Sequence, residues 1–136
     1  MLPVAQKALL IDEDGRVLVL KSTDPDGYGN HWDFPGGRME EGESPLETLD
    51  REIQEEVGMK IDVNAAKLFH VGWYKGFGDR AQENVYKTFW IVPVSNVSAT
   101  LSWEHQQFFW FQIADLPDDF VGPYRAIVDR YQKSIS

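Results

Sequence analysis

The sequence predicts one α+β domain, on three observations. Its 136 residues match the ordinary size of a single domain and suffice for a core. Apolar residues make up 43% and aromatics 13%, so the chain has core material and does not read as disordered. Strand-like and helix-like segments also alternate along the chain, with no linker, repeat or low-complexity stretch between them.

Taken in order, residues 4–11 and 16–21 read as two strands joined by the turn Asp12-Glu13-Asp14-Gly15. Residues 22–30, rich in Asp, Gly and Pro, read as a loop. A helix is expected between Ser44 and Gly58. Ser44 is a capping residue, Pro45 suits the first helical position, and Glu47 three residues after the cap completes a capping box. Gly58 is a natural terminator. Leu46, Leu49, Ile53 and Val57, spaced by three and four, form one apolar stripe. Residues 67–74 and 84–94 read as strands around a loop at 75–83, and 108–113 as a further short strand. Residues 123–133 read as the final helix, with Ala126, Ile127, Val128 and Tyr131 at its apolar positions.

Composition excludes several function classes. The absence of cysteine rules out a disulfide scaffold, thiol catalysis and cysteine-type zinc sites. No apolar run approaches the roughly 18 residues of a membrane span. Acids follow the short apolar stretch at the N-terminus, unlike a secretory signal, so a cytoplasmic location is expected. A net charge of −9 argues against a duplex nucleic acid partner, because backbone binding needs a basic footprint.

The negative charge is concentrated. Residues 37–59 hold eight acids and two bases, two thirds of the whole imbalance. Glu52, Glu55 and Glu56, at i, i+3 and i+4, share a helix face centred roughly 110° from the apolar stripe. Glu52 and Glu56 form a destabilising like-charge pair, whereas Arg51 is matched to Glu47 one turn back. Two readings fit: a solvated acidic face, or a site for a hard, oxygen-loving cation such as Mg²⁺.

The pattern formed by Gly37, Glu43 after five residues, and then Arg51-Glu52-Ile53-Gln54-Glu55-Glu56-Val57-Gly58-Met59 after seven resembles the Nudix box, G-x5-E-x7-R-E-U-x-E-E-x-G-U, with every fixed position filled. The preceding His31-Trp32-Asp33-Phe34-Pro35-Gly36-Gly37 is similar to the lead-in of MutT-like members. Glu104, six residues before Trp110, has the spacing at which such members carry a further metal-associated Glu. The resemblance implies a Nudix-type α/β/α sandwich with a mixed sheet and the box as loop-helix-loop. It also implies Mg²⁺-dependent (or Mn²⁺-dependent) hydrolysis of a nucleoside diphosphate derivative, so that an acidic protein reaches phosphate through a metal.

The resemblance also assigns roles. Glu52, Glu55 and Glu56 are the expected metal ligands, with Glu52 the leading general base and Glu104 both a further ligand and the rival base. The carbonyl of Gly37 completes the metal shell. Arg51 orients the glutamates, the alternative being a surface pair with Glu47, and Glu43 is a partner of that network or an outer ligand. Arg38 and Lys21 are candidate phosphate contacts, against ordinary surface cations. Trp32 and Tyr124 lead the aromatics that would stack a nucleobase, with Phe69, Trp73, Tyr74, Phe77 and Trp90, against the reading of all of them as core. His31, His70 and His105 read as structural or surface residues. Members that recognise oxidised guanine carry an Asn near the start of the last helix, where this chain has Pro123-Tyr124-Arg125. The expected substrate is a nucleoside triphosphate, cleaved to monophosphate and pyrophosphate. A nucleotide sugar or other diphosphate-linked metabolite is the alternative, and a non-catalytic nucleotide-binding module the alternative class. A homodimer is the one assembly the resemblance suggests.

Overall fold

The computed structural model describes residues 3–22, 31–75, 84–95, 106–121 and 124–135. Its first strand, β1 (Val4–Ile11), is buried from Ala5 to Leu10 and lies inside the sheet. Asp12 folds the turn that follows, its Oδ1 accepting the backbone N–H groups of Asp14 and Arg16 at 3.0 and 2.8 Å. β2 (Arg16–Ser22) returns antiparallel, with Ile11 opposite Val17.

β1 and β2 stay together only near that turn. β1 gives one edge to β6 (Asn84–Pro93), in parallel from Val4 to Ile11. β2 gives one edge to β7 (Gln106–Gln112). At the open end of the pair, β3 (His31–Asp33) therefore lines β2, and β4 (Gly36–Arg38) lines β1. β5 (Lys67–Lys75) closes the far side antiparallel to β6, with an irregularity between Leu68 and His70. The sheet has seven strands and is mixed.

Side chains alternate across this sheet and build a core on each face. Ala8, Leu10, Leu18 and Val92 meet Leu49, Ile53 and Val57 of α1 (Pro45–Val57). Leu9, Val17, Val19 and Phe89 meet Ile127, Val128 and Tyr131 of α3 (Arg125–Ile135) on the other face. The short α2 (Asp118–Val121) precedes α3. The result is the α/β/α sandwich expected from the sequence.

α1 matches its expected limits. The Ser44 hydroxyl accepts the Glu47 N–H, the Glu47 carboxylate accepts the Ser44 N–H, and Gly58 ends the helix at φ 70°. Other boundaries shift. Ser22 belongs to β2 rather than to the loop, and the last strand spans Gln106–Gln112 instead of 108–113. Ile113 starts a 3₁₀ turn instead. The final helix starts at Arg125, because the Tyr124 carbonyl accepts the first helical N–H groups, from Ile127 and Val128. β3 and β4, three residues each, are too short to show alternation in sequence. Among the described residues no helix is long and apolar enough to cross a membrane.

Candidate active site

α1 packs against β4 and β1, so the chain turning through Gly36 and Gly37 faces its acidic side. Gly36 holds φ 139°, and any side chain there would collide with the Gln6 peptide. Its N–H donates to Glu56 Oε1 at 2.9 Å. A Cβ on Gly37 would overlap the Glu52 carboxylate, so the missing side chain makes the space that carboxylate occupies. Two of the expected ligands, Glu52 and Glu56, thus stand against the backbone of the two glycines.

The two acids differ in setting. Burial pushes Glu56 up from 4.5 to about 7, with Asp33 and Glu52 reinforcing the shift and Lys7 and the Gly36 N–H opposing it. Glu52 is 20% exposed and gives Oε1 to Arg51 at 2.9 Å. Glu55 is 61% exposed and also turns to Arg51, at 3.2 Å.

Arg51 is the hub of the outer side of the site. It grips Glu43 through Nε and Nη2 at 2.6 and 3.0 Å, and Nη2 also reaches the Arg38 carbonyl at 3.2 Å. That grip, with the Glu40 N–H and the Thr48 hydroxyl, holds Glu43 down at about 2. One sequence reading is corrected here. The Glu47–Arg51 pair is replaced, because Glu47 is committed to the Ser44 cap while Arg51 swings to Glu43. The Arg51 guanidinium also lies between Glu52 and Glu55.

A second ionic cluster lies on the opposite side of the glycine turn. Lys7 in β1 donates to Asp33 Oδ2 at 2.8 Å, Asp33 Oδ1 accepts the Tyr124 hydroxyl at 2.5 Å, and that hydroxyl accepts Lys87 Nζ at 3.0 Å. Burial opposes the Lys7 charge, but Asp33, Glu56 and Glu52 together outweigh it and hold the ammonium above its usual range. Burial likewise opposes ionisation of Asp33, and the two lysines win, keeping it below the carboxylate range. Burial lowers Lys87 to about 8. Sequence reasoning passed over Lys7, Asp33 and Lys87 as functional residues. The available signal was a lysine in the middle of an apolar strand.

The remaining candidates are placed as follows. Lys21 Nζ sits over the Trp32 ring, 5.0 Å from its centroid. Trp32 packs on Phe109 and Phe111 and donates its indole N–H to Asp119 at 3.0 Å. Tyr124 is 2% exposed, inside the core beside Phe34, Tyr74 and Phe89. Phe69 packs on Tyr131, and Trp90 donates to Gln6. His70 lies against Phe89. Trp73 stacks on Tyr86, both on the surface. His31 is in β3. Glu104, Phe77, His105 and the loop at 76–83 lie outside the described residues.

The donor set fits Mg²⁺. Among the described residues no cluster of three or more His, Cys, Asp or Glu forms a ready cage. Mg²⁺ does not ask for one, since it is commonly held by one or two carboxylates together with substrate phosphates. Glu52 and Glu56, both set against the glycine turn, are two carboxylates of that kind.

The family model described as NUDIX domain matches residues 1–131. The nucleoside triphosphatase NudI of Escherichia fergusonii is 31% identical over 113 residues, covering 79% of this chain and 80% of that protein. CTP pyrophosphohydrolase of Escherichia coli K12 is 29% identical over 104 residues, covering 76% and 71%. A solved MutT NUDIX hydrolase from Burkholderia pseudomallei has the same fold, with a TM-score of 0.78 over 96% of this chain and 98% of that one at 21% identity.

Proposed function

The chain belongs to the NUDIX family of hydrolases, and on that ground we propose that it is an Mg²⁺-dependent pyrophosphohydrolase of nucleoside triphosphates. The observation that carries this reading is the turn at Gly36 and Gly37, where two half-buried carboxylates meet peptide groups that no side chain obstructs. The triphosphate is favoured by two relatives named for triphosphate substrates, each matched over more than two thirds of its length.

Glu52, Glu56 and the Gly37 carbonyl would hold the metal, which when bound neutralises phosphate oxygens and acidifies the attacking water. Glu52 takes the proton from that water as its oxygen adds to phosphorus. The anhydride P–O bond breaks and pyrophosphate leaves with the bonding electrons. Arg51 engages only Oε1 of Glu52, so it orients the carboxylate and leaves Oε2 for the proton. Arg38, which directly follows Gly37 on β4, is the candidate phosphate contact.

The test is phosphate release over a panel of nucleoside triphosphates, with pyrophosphatase added, and of nucleotide sugars, with alkaline phosphatase added to free phosphate from the monoester products, run on wild type and Glu52→Gln. Turnover of triphosphates is expected, reduced about 10²- to 10⁴-fold in the variant, the usual contribution of a general base. Full activity in Glu52→Gln would remove Glu52 as the base. Turnover confined to nucleotide sugars would replace the substrate class.

A further inference from the structure

Lys7 lies in the middle of a buried strand, where a lysine persists only when its charge and its donors are matched. Its ammonium has three acceptors: Asp33 Oδ2 at 2.8 Å, the Phe34 carbonyl at 3.4 Å and the Gly36 carbonyl at 3.5 Å. All three belong to the short segment, residues 33–36, that joins β3 to β4. The same segment is tied to β1 by the Ala8 N–H, which donates to the Pro35 carbonyl at 2.9 Å. Gly36 is thereby held on both sides, its carbonyl by Lys7 and its N–H by Glu56.

We propose that Lys7 is a positioning residue for the metal site: by gripping residues 33–36 it fixes the Gly36 N–H that orients Glu56 and the Gly37 backbone beside Glu52. The proposal rests on the reading of Glu52 and Glu56 as the cation-binding pair. Lys87 is the control. It is as deeply buried as Lys7, at 4% against 7% exposure, and reaches the segment through the Tyr124 hydroxyl and the Asp33 carboxylate. Lys7 also faces the charges of Glu56 and Glu52, so removing its charge alone relieves repulsion of a cation, and weaker binding in its absence is the mark of lost positioning.

Mn²⁺ binding to the full chain without substrate, followed by the EPR signal of free Mn²⁺ at a temperature where circular dichroism shows every variant folded, separates these cases. Lys7→Met is expected to weaken Mn²⁺ binding about 10- to 100-fold, the range seen for groups that hold metal ligands, and Lys87→Met by no more than about twofold. Wild-type affinity in Lys7→Met, or an equal loss in Lys87→Met, overturns the proposal. Glu56→Gln tests the underlying reading: unchanged affinity there removes the metal site itself, whereas loss there without loss in Lys7→Met removes only the role of Lys7. Lys7→Met strands the Asp33 carboxylate and can fail to fold. Lys7→Met/Asp33→Asn keeps the pair neutral, and the same weakening is expected in it. Wild-type binding in that double variant also overturns the proposal.

Discussion

Two charged clusters meet at the glycine turn, one gathering the acids of α1 around Arg51 and the other holding the Gly36 carbonyl through Lys7. On the outer side Arg51 ties Glu43, Glu52 and Glu55 together across 13 residues of sequence. On the inner side Lys7, Asp33, Tyr124 and Lys87 link β1, β3, β6 and the start of α3, partners as far as 91 residues apart. The outer cluster is half in water, where ion pairs are screened and contribute little to stability. The inner one is in the low-dielectric core, where each group depends on the next. The same chemistry therefore serves two ends: orientation of acids at small cost outside, and placement of a strand connection inside.

The sharpest way to break this contrast is to remove one partner from each cluster. Asp33→Ala leaves the Lys7 ammonium buried without its main partner and is expected to cost about 3–5 kcal/mol. That corresponds to a fall in Tm of roughly 10 °C or more, read by thermal unfolding. Arg51→Lys keeps the charge but loses the planar fork that binds Glu43 and Glu52 at once. Its expected stability loss is below about 1 kcal/mol. Its turnover is expected to fall about 10- to 100-fold, because Glu52 loses its orientation. Were Asp33→Ala as stable as wild type, or Arg51→Lys the less stable of the two, the division between the clusters would fail.

The outer cluster was largely readable in the sequence and the inner one was not, for a physical reason. Helix periodicity puts residues 43–56 in a fixed relation, so spacing alone gave the acidic face, the cap and the stop at Gly58. It misassigned the partner of Arg51, since Glu43 and Glu47 are both one arginine's reach away and only the capping bond settles the choice. The inner cluster forms because β3 and β4 enter the open end of the β1–β2 pair and because α3 presents Tyr124 to the sheet. Strand order is a property of the whole chain, so no local spacing announces it. Tyr124 shows the consequence: its place at the start of the last helix was readable, but its burial against Asp33 was not.

The most specific expected effect is on pH. Glu56 binds its proton more tightly in the folded chain than an ordinary carboxylate does, at about 7 against 4.5. The metal-free fold therefore has that contribution in full below 4.5 and loses it as the pH rises through about 7. A cation has to displace the same proton. Mn²⁺ affinity should climb by up to about tenfold per pH unit from pH 5 and level off above about 7. Glu43 has the opposite sign: its contribution is complete above 4.5 and is lost only as the pH falls through about 2. The Arg51–Glu43 pair therefore stays assembled throughout the titration. An Mn²⁺ affinity profile measured from pH 5 to 8 checks this, with Glu56→Gln expected to flatten it. A flat wild-type profile would mean that the Glu56 carboxylate is not what the cation meets.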